Sequence, residues 1–507
     1  MIAALLAATA GLVLGSALPP GGAWPLTAVL AVPFALVARA ADARAAFAAG
    51  AAFALGFFAL YIAWLPLSFS EPGLLGPWFW ALYPLLLVVL AAMWGLTAAT
   101  ARWLGGRGTG TLWVLAPLWV LVEHLRSTGY FAFPWGTLGY VWVDVPPGQL
   151  ADALGVTGLS LLTTVAAALL AAPWAPAPGR VRGLRQRRRT YLAPLAALAL
   201  LAGGWIAGAA SAGRHEVPAG ATALLVQGNV DPFGRAANQA QELEVHVELT
   251  RLGVARMAAA PDLVVWPEGA ALGVELEGAR GAEGRARVQA AAPDSAFLIG
   301  GRARLPAGEG ANAAYSLADG QLLGRYDKHV LVPFGERWPL IDTLPGVYRT
   351  VFGLLGLPLL ANTVPGPGPA ALPSAVAPLG VGVCYESVFP TISAAMARDG
   401  AEALVVITND AWFARGDGAR QHLDMGRMRA IETRRWLLRA GNDGITAVID
   451  PYGRVVTELD RRVAATLPVR FGTSDRVTFY ARHADRLPWL LAGLTLLGLA
   501  LARRPRA

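Results

Sequence analysis

A multi-span α-helical membrane domain of about eight spans, followed by an α/β layered domain, is the fold class this chain predicts, on three observations. Hydrophobic residues make up 55% of the 507 positions and charged residues only 15%, too apolar a balance for a soluble protein of this length. Apolar runs recur that approach the roughly 20 residues needed to cross a bilayer. From Ala221 onward the character changes, and short β-type runs alternate with amphipathic helical stretches.

The apolar runs lie at residues 3 to 18, 24 to 41, 49 to 69, 77 to 100, 111 to 125, 157 to 174, 190 to 210 and 487 to 502. The first has features of a signal sequence, but no Lys or Arg precedes it and no cleavage site stands apart from the next run, so it reads as a retained span. Cytoplasmic loops are enriched in positive charge, and the arginines obey one pattern. Arg39 and Arg44 follow span two, Arg102 and Arg107 follow span four, Arg180, Arg182, Arg185 and Arg187 to Arg189 follow span six, and Arg503, Arg504 and Arg506 follow span eight. Both termini are thereby expected in the cytoplasm and the segment 211 to 486 outside it. The expected organisation is a helical membrane domain over 1–210, an extracytoplasmic catalytic domain over 211–486, and a last span with its tail over 487–507.

This placement accounts for most of the net charge of +8, because the excess sits in short loops. A nucleic-acid binder would carry it as a basic face on the soluble part, so that class is set aside. A lone cysteine makes no intrachain disulfide, which is compatible with an oxidising compartment without proving one.

Within the second domain the β-type runs are ATALLVQGNV, DLVVWPEG, SAFLIGGRARL, VGVCYES, ALVVITND and ITAVID, with helical patterning over 237 to 260 and 419 to 437. About 275 residues suffice for one large core, and no repeat or low-complexity linker divides them. The stretch 347 to 360 breaks the pattern: it is apolar, punctuated by glycine and too short to span. It reads either as a buried strand pair or, with more weight, as a loop dipping into the lipid surface.

Lys328 and Cys384 are the only lysine and the only cysteine in the chain, although 42 side chains are basic. Arginine has filled every other such position, so a lysine that remains marks a need for a compact ammonium rather than a delocalised fork. Three segments deliver ionisable groups at the ends of strand-like runs, where α/β folds place catalytic groups. In DLVVWPEGA, Pro267 stops the strand and presents Glu268 at its rim. GRYDKHVLVPFGE carries Lys328 and then Glu336, and APLGVGVCYESVFP runs into Cys384 and a turn. Taken singly these are commonplace: a solvated loop carboxylate, a surface charge and a buried thiol. Together they form a working set, since a thiol near neutral pH needs a base or a cation to become nucleophilic, and a carboxylate with an ammonium supplies both.

In that order, WPE, Tyr-x-Lys with a following glutamate, and Gly-x-x-Cys-Tyr-Glu resemble the Glu-Lys-Cys signature of the nitrilase, or carbon-nitrogen hydrolase, superfamily. The multi-span architecture is similar to its apolipoprotein N-acyltransferase family. The likeness extends to VQGN at 226 to 229, HVLVPFGE at 329 to 336, TNDAWF at 408 to 413, QHL with RMRAIET up to Thr433, NDGITAVIDPYG at 442 to 453 and EHLRSTGYFAFPWGTLGY at 123 to 140.

The resemblance implies a nitrilase-like αββα sandwich and a two-stage acyl transfer in the bacterial inner membrane. Cys384 takes an acyl chain from a phospholipid as a thioester and passes it to the α-amine of a diacylated apolipoprotein. Glu268 is implied as the base, Lys328 as the oxyanion donor with a backbone N–H near Tyr385, and Glu336 as the residue that orients Lys328 or shares its charge. Tyr385 and Glu386 match supporting positions, and no metal or organic cofactor is implied. Trp338, Trp412 and Phe413 are aromatic residues expected to face substrate or membrane lipids, and a monomer is expected. Gly269 and Ala414 stand where the family often has Ser and Gly, and the Lys-Trp pair that many members carry after VQGN is absent from DPFGRAANQ, so contacts of that tryptophan do not transfer.

Three rival readings compete with it. A papain-like Cys-His site would use His329 or His422, but His329 directly follows the lysine and would face the other way in a strand, while His422 in an arginine-rich helix reads as a structural hydrogen-bonding group. A membrane-tethered amidase would keep the triad and use water as the acceptor. A catalytically dead envelope scaffold would give no reason to keep the lone lysine and cysteine. No His or Cys spacing typical of zinc and no GxSxG elbow occurs.

Overall fold

The computed structural model describes residues 1–68, 76–176, 184–212, 217–231, 235–305, 309–355, 363–413 and 416–503. Of the arginines used for orientation, Arg180, Arg182, Arg504 and Arg506 lie outside these residues, as do Ala414, part of DPFGRAANQ and the end of the 347 to 360 stretch.

Among the described residues, the first part is built of helices joined by short loops. Helices at Ile2–Ala17, Ala31–Arg39, Ala43–Tyr61, Gly76–Gly105, Thr109–Arg126, Ala151–Ala171 and Leu184–Ala212 follow the first seven apolar runs, and Leu487–Arg503 follows the eighth. Among the described residues, four helical stretches are long and apolar enough to cross a membrane: Ala43–Ser68, Leu82–Gly105, Pro146–Trp174 and Tyr191–Ala212. Ile2–Ala17 and Trp24–Arg39 are apolar but shorter.

The second part holds two mixed six-stranded sheets. In chain order the strands are β1 (Ala221–Gln227), β2 (Leu263–Val265), β3 (Ala296–Arg304), β4 (Gly310–Ala318), β5 (Gln321–Asp327), β6 (Ala371–Leu372), β7 (Leu379–Val383), β8 (Ala403–Thr408), β9 (Leu437–Gly441), β10 (Ala447–Ile449), β11 (Val455–Glu458) and β12 (Ala465–Phe471). One sheet has the order β12-β1-β2-β3-β4-β5 and the other β11-β10-β9-β8-β7-β6.

Period-two alternation sorts their side chains into layers. Ala223, Leu225, Leu263 and Val265 join Val381, Val405, Ile407 and Leu438 in the core between the sheets. Their neighbours Leu224, Val226, Val264 and Trp266 turn outward to Leu243 and Val247 of the helix Arg235–Val254. On the far side, Leu404 and Val406 meet Leu423 and Ala430 of the helix Gly418–Thr433. The result is an αββα sandwich, the layering the sequence led us to expect.

Two expectations are corrected. Helical patterning over 419 to 437 overruns the real end: the helix stops at Thr433, Arg434 takes a left-handed φ of 52°, and Leu437 already belongs to β9. The strand pair considered for 347 to 360 is not formed by its described residues, 347–355. Pro345–Leu355 is an amphipathic helix that buries Phe352 and leaves Val347, Val351 and Leu354 exposed.

The helical part and the sandwich are in contact. Glu432 accepts a hydrogen bond from the Val156 backbone N–H at 2.8 Å, and Arg434 donates to Asp152, to Gln149 and to Ser211. The segment 130 to 147, which the sequence leaves undecided between a surface loop and a bilayer re-entry, is mostly buried between the two parts.

Candidate active site

Four strand ends converge on one point. Glu268 follows β2, Lys328 follows β5, Cys384 follows β7 and Asn409 follows β8. Pro267 ends the first of these, and Gly300 of β3 allows the turn beside it, since a Cβ there would lie 2.3 Å from the Pro267 carbonyl oxygen. At the third, the backbone leaves β7 abruptly: Cys384 has a φ of 51°, a left-handed conformation that is uncommon for any residue but glycine.

The charged groups are close and enclosed. Lys328 Nζ, on a side chain only 1% exposed, lies 2.9 Å from Glu336 Oε2 and 3.6 Å from Glu268 Oε1. Asn312 of β4 bridges the two carboxylates, its Nδ2 donating to Glu268 Oε1 at 2.7 Å and to Glu336 Oε1 at 2.8 Å. The backbone N–H of Asn409 donates to Glu268 Oε2 at 3.0 Å, so both oxygens of Glu268 are held. Glu336 Oε2 also accepts from the Val332 N–H, which ties the loop after β5 to the lysine.

Electrostatics follow from this packing. Burial alone would lower the Lys328 pKa, but the carboxylates of Glu336 and Glu268 outweigh it and the net shift is upward, so the ammonium persists at any working pH. Burial raises the Cys384 thiol, Glu268 adds to the rise and Lys328 opposes it, leaving the thiol pushed up to about 12. A thiol held there stays protonated near neutrality and reacts only if a base removes its proton as it attacks. Among the described residues, no group of three or more His, Cys, Asp or Glu is placed to hold a metal ion.

Glu386 is fully buried and serves the scaffold. Its Oε1 accepts from Tyr326 Oη and from the His329 and Val330 N–H groups, and its Oε2 from the Val383 N–H, pinning the loop after β5 to the end of β7. His329 turns its ring to the Gly366 carbonyl at 2.8 Å. Tyr385 donates its hydroxyl to the Ala132 carbonyl at 2.6 Å and stacks on Trp135.

The three aromatic residues expected to face substrate or membrane lipids sit in two segments. Trp338 packs edge-on against Phe352 and Phe334, beneath the amphipathic helix. Phe413 meets Trp64, Trp135 and the His422 ring, so its contacts are with protein at the junction of the two parts. Trp412 is partly buried in the same short 3-10 turn, Asp410–Phe413.

Some participants were not singled out from the sequence. Asn312 sits in an alanine-rich run, GANAAYSLA, with no alternation to mark it as a strand. Asn409 and Asp410 lie in a segment matched to the family, TNDAWF, yet nothing in their spacing assigns them a role. Trp135 reaches the site from the other half of the chain, through a loop hung on the helix Thr109–Arg126 whose Arg126 NH1 holds the Phe133 and Trp135 carbonyls.

Comparison with known proteins extends the geometry. A family model described as apolipoprotein N-acyltransferase N-terminal domain matches residues 10–169, and one described as carbon-nitrogen hydrolase matches residues 222–470. A protein of Geobacter metallireducens named apolipoprotein N-acyltransferase is 33% identical over 99% of this chain and 96% of its own. Another of the same name from Bordetella bronchiseptica is 34% identical over 99% and 97%. Among solved structures, an amidase from Nesterenkonia sp. aligns with 51% of this chain and 93% of its own at 20% identity and a TM-score of 0.38.

Proposed function

The chain belongs to the apolipoprotein N-acyltransferase family, and from that premise we propose that it moves a fatty acyl chain from a membrane phospholipid, through a Cys384 thioester, to the N-terminal amine of diacylglyceryl-cysteine apolipoproteins. The observation that carries this reading is the enclosure of the lone lysine between Glu268 and Glu336, in electrostatic reach of the lone cysteine.

In the first stage Glu268 takes the thiol proton as Sγ adds to the ester carbonyl carbon. Lys328 and the Tyr385 backbone N–H receive the charge that develops on the carbonyl oxygen, an interaction typically worth about 3 to 4 kcal/mol for one donor. The carbon–oxygen bond to glycerol breaks, Glu268 returns its proton to the leaving alkoxide, and a lysophospholipid departs. In the second stage the acceptor amine adds to the thioester and loses its proton to Glu268. The carbon–sulfur bond breaks, the proton passes to the thiolate, and an amide remains. Glu336 and Asn312 keep Lys328 and Glu268 in register through both stages.

The setting proposed for this chemistry is the inner membrane, with about eight spans over 1–210 and 487–507 and the catalytic domain 211–486 on the periplasmic side. Long apolar helices and the arginine placement support it. The enzyme is proposed to act as a monomer on phospholipid and diacylated apolipoprotein.

The test is direct. Incubating purified protein with phospholipid should add one fatty-acyl mass that hydroxylamine removes, and Cys384→Ala should abolish the addition. An unchanged wild-type mass under active conditions would reject the thioester. Offering a diacylated lipopeptide in water then separates acyl transfer from hydrolysis by the product formed.

A further inference from the structure

Beside Cys384 runs a buried polar chain that the two stages above leave unused. The side chains of Arg439, Asp410 and His422 are each no more than 1% exposed. His422 touches the nucleophile through its backbone: Nε2 lies 3.0 Å from the Cys384 carbonyl oxygen and 2.8 Å from Ser387 Oγ. The Ser387 hydroxyl donates to the same carbonyl at 2.9 Å. On the other side of the ring, Nδ1 lies 3.0 Å from Arg439 NH2 and 3.0 Å from Asp410 Oδ1.

The chemistry of these partners selects the tautomer. A carbonyl oxygen only accepts, so Nε2 carries the hydrogen that meets it, while Nδ1 faces both a donor, the Arg439 guanidinium, and an acceptor, the Asp410 carboxylate, each at 3.0 Å. Asp410 has other donors: the Thr408 hydroxyl reaches Oδ1 at 2.9 Å and Arg439 reaches Oδ2 at 2.7 Å. Burial and the neighbouring Arg439 charge lower the His422 pKa, which agrees with a neutral ring bearing one hydrogen.

The bond from His422 acts on more than an oxygen. The Cys384 carbonyl and the Tyr385 N–H belong to one planar trans peptide, in which they point in opposite directions. Two donors that fix the carbonyl therefore aim the N–H, and by drawing charge toward the oxygen they strengthen it as a donor. The left-handed backbone at Cys384 is a strained state that persists only when its surroundings hold it.

We propose that His422, seated on Asp410 and Arg439 and assisted by Ser387, is a positioning residue that orients the Cys384–Tyr385 peptide so that the Tyr385 N–H meets the oxyanion of the tetrahedral intermediate. The assignment rests on the thioester reading given above. It differs from a cysteine–histidine pair, because the ring holds the main chain of the cysteine and takes no proton from its sulfur.

Two reactions of the same thiol separate this role from a structural one. Thioester formation from phospholipid passes through an oxyanion, whereas alkylation by iodoacetamide displaces a halide and forms none. In the full-length protein in phospholipid micelles, His422→Phe should slow first-turnover acylation about tenfold to a hundredfold, with KM and the alkylation rate each held within about twofold. His422→Gln, whose amide can still donate to the Cys384 carbonyl, should recover part of the loss. Ser387→Ala should show the same pattern with a smaller loss, and decides the matter if the phenylalanine variant does not fold. Unchanged acylation in these variants, or acylation and alkylation falling together, would overturn the assignment. A wild-type protein that alkylates normally but forms no thioester would instead sink the acyl-transfer reading on which it rests.

Discussion

The indole of Trp135 lies nearly parallel to the phenol of Tyr385, with 5.8 Å between ring centroids and 15° between planes. Tyr385 adjoins Cys384, while Trp135 hangs from the apolar helix Thr109–Arg126, so the helical part of the chain reaches the candidate site. Trp135→Ala should cost about 3 to 5 kcal/mol of stability, as truncation of a buried aromatic does, and should depress thioester formation as well. Trp135→Phe keeps a ring on Tyr385 and should lose far less. Thermal melting in detergent beside single-turnover acylation checks both, and a melt and rate equal to wild type in Trp135→Ala would mark the contact as incidental.

Asn312 holds apart two carboxylates that share one lysine. Asn312→Ala removes that donor and should lower kcat about tenfold with little change in KM, since the loss falls on alignment of the base. Asn312→Asp puts a third carboxylate there and should be worse, by about a hundredfold or more. Equal activity of the two variants would argue that the bridge is dispensable.

Lys328→Arg preserves charge and should still abolish turnover, with a loss of at least about a thousandfold. The lysine side chain is enclosed between Glu268 and Glu336, and a planar fork cannot occupy the place of a point donor there. Circular dichroism should report an intact fold. Turnover near the wild-type rate would refute the need for compact charge.

Glu268→Gln should separate acidity from catalysis. Glu268 raises the Cys384 pKa, so its neutralisation lets the thiol ionise at lower pH even as acyl transfer fails for want of a base. In wild type, iodoacetamide alkylation should climb with pH toward about 12, and in Glu268→Gln the climb should begin earlier. The same shift gives a stability profile: a thiol pKa raised on folding stabilises fully below the unfolded value, near 9, and that contribution is lost as pH rises from about 9 to about 12. An alkylation profile displaced to higher pH in the variant would contradict the assignment.

The helix Pro345–Leu355 shows solvent a face of Val347, Val351 and Leu354, the last 83% exposed. Leu354→Glu should weaken transfer from phospholipid in vesicles, by about tenfold, because a charge opposes seating of that face in lipid. Transfer from a short-chain ester dissolved as monomer should be almost unaffected. A parallel loss on both donors would relocate the effect to the site itself.

Much of the candidate site was legible because it lies at strand ends. Apolar runs closed by Pro267, by the turn after Cys384 and by Asp327-Lys328 carry position in their own sequence. Asn312 was not, since β4 is built of small residues whose burial comes from neighbours on both sides rather than from alternation. The end of the helix at Thr433 was hidden for a related reason: LLRAG of β9 is buried on both faces and continues the apolar spacing of the helix before it, so only the left-handed turn at Arg434 marks the change. Trp135 was out of reach because its partner is 250 positions away, and an aromatic loop beside an apolar helix reads as a membrane interface.

The final helix, Leu487–Arg503, packs on Thr109–Arg126 so closely that a Cβ at Gly498 would lie 2.5 Å from the Trp113 carbonyl oxygen. Leu487–Arg503 thereby braces the helix from which the Trp135 loop hangs. A side chain at Gly498 would push these two helices apart and so disturb the footing of the loop that sets Trp135 against Tyr385.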